Sequence, residues 1–130
     1  MTWADNQSNI KTFIIQSDTE KSISKDLKNL FSEITEDEFN DCSDILIYVD
    51  ATNGNLFISG FDSNTDKVYD NKGIYVQLTE FWEKNQNAYD FDEIIKTALK
   101  TAYHTSEKTL LKSKYEVFYQ TEDEREFRRL

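Results

Sequence analysis

An α+β domain is the fold class this sequence predicts, on three observations. Two segments carry apolar residues at helical spacing, an Asn-Gly pair separates two apolar runs, and the elements do not repeat as β-α-β units. The expected architecture is one domain spanning residues 1–130. Its antiparallel sheet is built on a central hairpin over 45–61, with a third and a last strand, and packs against two amphipathic helices over 18–34 and 91–111.

Each element has its own signal. Ile10, Phe13, Ile14 and Ile15 cluster within residues 8–16, too short a span for periodicity to separate a helical turn from a strand. Ser17-Asp18-Thr19-Glu20 reads as a capping box, and Ile23, Leu27, Leu30, Phe31 and Ile34 then form a helical stripe. Ile45 to Asp50 and Asn55 to Phe61 flank Ala51-Thr52-Asn53-Gly54. A two-residue type I′ turn on Asn53-Gly54 would set Val49 opposite Ile58 and Ile47 opposite Gly60. One face of the hairpin then holds Ile45, Ile47, Val49, Leu56 and Ile58. The other holds Leu46, Tyr48, Phe57, Ser59 and Phe61, too aromatic a set to be left in water without a covering helix or partner.

Beyond the hairpin, Asp62 to Lys72 reads as a connection with a short strand at Val68-Tyr69. Ile74, Val76 and Leu78 alternate as a third strand, and Phe81-Trp82 sits in a short helical segment. Asp90 and Glu93 make a second capping box ahead of Phe91, Ile94, Ile95, Ala98, Leu99, Ala102 and Tyr103, whose helix continues to Leu110-Leu111. Tyr115, Val117 and Tyr119 alternate with Glu116, Phe118 and Gln120 as a last strand, and residues 122–129 read as an exposed helix or tail.

Composition narrows the chemistry. The 130 residues include 25 acids and 15 bases, a net charge of -10, with 38% hydrophobic and 14% aromatic residues, enough for a core. The acidic balance disfavours nucleic acid and anionic membrane as partners and favours a basic one. A single cysteine, Cys42, fits a reducing compartment, and the longest apolar run, Ile45 to Val49, is too short to span a bilayer; a soluble cytoplasmic protein is expected. One His and one Cys leave no set for a structural zinc site, and three Gly with no Pro leave no phosphate-cradling loop. No cofactor, metal or catalytic residue is expected.

The charge is concentrated. Residues 29–66 hold Glu33, Glu36, Asp37, Glu38, Asp41, Asp44, Asp50, Asp62 and Asp66 and no Lys or Arg, so nine of the ten net charges lie there. Charge runs usually only solubilise. A run without counter-charge beside an aromatic hairpin face instead has the makeup of an acidic rim around apolar anchors, suited to a basic cleft. The expected partner-binding set is Glu36, Asp37, Glu38, Asp41, Asp44, Tyr48, Phe57, Phe61, Asp62 and Asp66.

Other constellations fail. Asp62 to Asp70 spaces oxygen side chains as a calcium loop does, but Lys67 stands where that loop needs Gly and Gly73 where it needs a bidentate Glu. His104 falls opposite the apolar stripe of its helix, so a solvated position is expected. Acidic neighbours of Cys42 would suppress its thiolate.

In kind, with the acidic stretch 33–66, the hairpin 45–61 and no catalytic set, the chain resembles the small acidic immunity proteins of bacterial contact-dependent and polymorphic toxin systems. That resemblance implies a non-enzymatic inhibitor of a cognate toxin, often a nuclease with a basic active site. The alternatives are an acidic nucleic-acid mimic or phage-type inhibitor of a DNA-binding enzyme, and a carboxylate-metal enzyme or calcium-binding module on Asp62, Asp66 and Asp70.

Overall fold

Strand β1 (Ile10–Ile15) opens the computed structural model, which describes residues 10–35, 39, 42–85, 91–107, 109–122 and 124–130. Helix α1 (Glu20–Glu33) follows, then β2 (Asp44–Asp50), β3 (Asn55–Asp62) and β4 (Lys67–Leu78). Helices α2 (Thr79–Asn85), α3 (Phe91–Thr105) and α4 (Leu110–Lys114) lead to β5 (Glu116–Thr121) and β6 (Arg128–Arg129). The fold is α+β, as the sequence implies. Among the described residues the strands form one sheet in the order β1-β4-β3-β2-β5-β6.

The sheet is mixed rather than antiparallel. β2, β3 and β4 form an antiparallel meander and β6 runs antiparallel to β5, but β1 joins β4 in parallel and β5 joins β2 in parallel. Chain order alone does not specify these two contacts, because each links strands separated by other elements.

This topology explains why the two long helices share one side of the sheet. The crossover from β1 to β2 passes β4 and β3, and that from β4 to β5 passes β3 and β2; both connect parallel strands and move in the same lateral sense. Parallel crossovers share one hand, so two moving the same way place their helices on the same side. α1 and α3 do pack against each other there. Beneath them lie Ile15, Ile45, Ile47, Val49, Leu56, Ile58, Ile74, Val76, Leu78, Val117 and Tyr119, all buried with the helical residues Ile23, Leu27, Phe31, Ile95 and Leu99 in one core.

Several local expectations are corrected. The hairpin register is shifted: Val49 faces Leu56 and Ile47 faces Ile58, across a four-residue turn, Ala51 to Gly54. The cause is Asp50, whose carboxylate accepts hydrogen bonds from the Thr52 and Asn53 amides at 3.1 and 3.2 Å and from Asn53 Nδ2 at 2.9 Å, while Gly54 N donates to Asp50 O. Of the turn residues only Gly54 has positive φ, 71°, so the type I′ turn does not form. The shift is by two residues, which preserves the expected division of side chains between faces.

The cap of α1 is Thr19, whose side chain accepts from Ser22 N at 3.2 Å, while Ser17 Oγ bonds the Asp26 carboxylate instead. The expected helix over 91–111 is divided. Thr105 and Ser106 hydroxyls bond back to the Thr101 and Ala102 carbonyls, and Thr109 caps a new helix. Asp90 lies outside the described residues. The cluster at 10–15 is a strand, and the presumed tail contributes β6 and the buried Leu130, whose amide bonds Val117 O at 2.9 Å.

Candidate functional site: an aromatic sheet face

Register places the side chains of the open face, the one away from α1 and α3, in rows across the strands. Tyr75, Phe57, Tyr48 and Gln120 face one another in sequence on β4, β3, β2 and β5. The next row is Ser59, Leu46, Phe118 and Arg129, and beyond it come Phe61, Asp44 and Glu116. Tyr48 is 38% exposed, and Leu46, Phe57, Phe61, Tyr75 and Phe118 are half-buried. None of them belongs to the core cluster. Trp82 and Glu83 of α2 border Tyr75 in a groove at one end of this face, and Tyr48 is its most exposed aromatic.

At the end of the sheet where β2 and β5 begin, the face hollows into a cavity of about 380 Å³ lined by Asp44, Leu46, Phe61, Phe118 and Phe127. Phe127, 39% exposed, overhangs it from the segment between β5 and β6. Burial raises the Asp44 carboxyl above its ordinary value, and the Glu116 charge raises it further, against a smaller opposing effect of Arg129. Arg129 Nη2 is itself held by Glu116 Oε2 at 2.6 Å. Tyr48 is also raised, by burial first and then by the charges of Glu122, Asp50 and Asp92.

Of the ten expected site residues, Asp44, Tyr48, Phe57 and Phe61 come together on this face. Asp62 ends β3 and Asp66 lies in the turn that leads to β4. There Asp62 accepts from Asn64 N at 3.0 Å and Thr65 Oγ1 at 3.1 Å, and Asp66 takes the left-handed conformation at φ 55°, so both have structural duties. Glu36, Asp37, Glu38 and Asp41 lie outside the described residues. Between them Phe39 is fully buried, edge-on to Tyr115 at 6.1 Å, with its carbonyl accepting from the Tyr115 hydroxyl. Cys42 fills the space above Gly60, beside Phe39. Phe39 and Cys42 thus pack with the core, on the face of the sheet opposite Phe61.

Sequence reading left Tyr75, Phe118, Phe127, Glu116 and Arg129 out of the site. Alternation with Val117 and Tyr119 puts Phe118 on the second face of its strand, but its place beside Leu46 depends on the long-range pairing of β5 with β2. His104, expected in solvent, is exposed yet holds the Leu130 carbonyl oxygen through Nε2 at 2.9 Å. Among the described residues no three His, Cys, Asp or Glu side chains gather as a metal site. None of their helices is long and apolar enough to cross a membrane.

Compared with protein-family models, curated proteins and solved structures, the chain matches none.

Proposed function

We propose that this protein is a non-enzymatic, cytoplasmic inhibitor of the immunity type, which neutralises a basic toxin domain by docking its open sheet face onto it. The observation that carries this reading is the aromatic row Tyr75-Phe57-Tyr48 with Leu46, Phe61 and Phe118, exposed or half-buried on the side of the sheet away from α1 and α3. Aromatic anchors ringed by contacts that exclude water are where binding energy concentrates in protein interfaces. The nine acids of residues 29–66 supply long-range attraction to a cationic surface and speed encounter. A nucleic-acid mimic would need carboxylates spaced as phosphates and no aromatic anchor; here the apolar face is the larger feature, and Asp62 is tied into a turn.

Co-expression with the product of the adjoining gene tests this function. The full chain should restore growth against a toxic neighbour, and Tyr48→Asp or Phe57→Asp should abolish the rescue while the variant remains folded by circular dichroism. Undiminished rescue by both folded variants would remove the open face from the function.

A further inference from the structure

We infer that the cavity at the β2–β5 end of the open face is an arginine socket, receiving one guanidinium side chain of a protein partner between Phe61, Phe118 and Phe127 and against the Asp44 carboxylate. The inference deepens the proposed function and rests on its reading of the open face as a docking surface.

The walls and the charge suit this occupant together. Leu46 and the three phenylalanines supply apolar surface for a methylene stem and aromatic surface for a planar cation, and the single carboxylate lining the cavity is that of Asp44. Two carboxylates, Asp44 and Glu116, face each other across paired strands, and the neighbouring Arg129 is bonded to Glu116 rather than to Asp44. A second cation would complete the neutralisation. The shift of the Asp44 carboxyl points the same way, since burial and Glu116 make its charge costly until a positive group arrives. A cavity of about 380 Å³ falls at the small end of ligand pockets, fitting one side chain rather than a peptide segment. Arginine suits it better than lysine because a guanidinium both stacks on aromatic faces and bonds a carboxylate in a planar fork, whereas an ammonium remains a strongly hydrated point charge.

The test is an NMR titration of the full chain with acetyl-Gly-Gly-Arg-Gly-Gly-amide, beside counterparts carrying citrulline, which is neutral and nearly isosteric, or lysine. Saturable shifts at Phe61, Phe118 and Phe127 are expected with the arginine peptide, and binding weaker by about tenfold with citrulline. Asp44→Asn should erase the preference for arginine over citrulline, while Glu80→Gln in α2, at the opposite end of the sheet, preserves it. If Asp44→Asn does not fold, Phe127→Ala, which removes a partly exposed ring outside the core, should weaken arginine binding alone. Equal binding of arginine and citrulline, equal or tighter binding of lysine, or no saturable shifts at these rings would overturn the socket. Its failure is separable from that of the proposed function: a silent titration alongside loss of rescue by folded Tyr48→Asp removes the socket and leaves the docking face standing.

Discussion

Ile47 and Tyr48 are neighbours in the chain and opposites in the sheet, one fully buried under the helices and the other 38% exposed on the open face. Their truncation should separate stability from binding. Ile47→Ala is expected to destabilise the fold by about 2–5 kcal/mol in urea unfolding, the range for emptying a packed core site. Tyr48→Ala should cost well under that and instead speed partner dissociation, with a loss of about 2 kcal/mol in affinity if the ring is a central anchor. Asp44 offers a pH test. Its folded-state carboxyl titrates above the ordinary 3.8, so the folded protein binds this proton more readily than the unfolded chain. Stability from this group is present below pH 3.8 and is lost as pH rises through the folded value. Asp44→Asn should therefore melt above the natural protein at pH 7, with the difference closing below about pH 4. A melting temperature lowered by the substitution at pH 7 would contradict the burial and like-charge origin of the shift.

The hairpin turn shows how one side chain resets an element. Asp50 draws two amides into a four-residue turn, and Gly54 closes it at φ 71°, with the Trp82 ring packed where a Cβ would stand. Trp82 is fixed by its own bond, Nε1 to Ala51 O at 2.9 Å. Gly54→Ala should cost about 2 kcal/mol of stability through left-handed strain and displacement of that ring, read as a lower urea midpoint with quenching or a shift of tryptophan fluorescence. Gly73 is tighter still, at φ 141° beside the three-residue bulge of β4, where a Cβ would strike the Ile58 carbonyl oxygen. At the start of α1, Thr19→Ala should lose about 1 kcal/mol as the cap to Ser22 N disappears, while Ser17→Ala leaves that cap in place.

At the scale of the whole molecule, α1 and α3 share one side of the sheet and the charge is gathered in one stretch, and the proposed recognition draws on both asymmetries. Exposed acids act through space and are screened by salt, so partner association should slow markedly between low and physiological ionic strength. Glu36→Lys with Glu38→Lys should reduce the association rate and leave dissociation nearly unchanged, in contrast to Tyr48→Ala. Stopped-flow association rates against salt check both. A partner that binds equally fast at all ionic strengths would leave the acidic stretch as a solvated surface with no part in recognition.

By itself the sequence determined the class α+β, the stripe of α1, strands over 45–50 and 55–61, and the division of Ile47 and Val49 from Leu46 and Tyr48, because alternation and helical spacing are local properties of the chain. It also brought Tyr48, Phe57 and Phe61 to one face, since a register error of two residues does not exchange faces. Pairing between strands distant in sequence was decided only in the tertiary structure: β1 beside β4, β5 beside β2, and the folding back of the last residues as β6. Those contacts carry Phe118, Phe127, Glu116 and Arg129 to the cavity at Asp44. They could not be read from spacing because strand partnership is set by which edge each crossover reaches and by burial of the shared face, neither of which leaves a periodic mark in the chain.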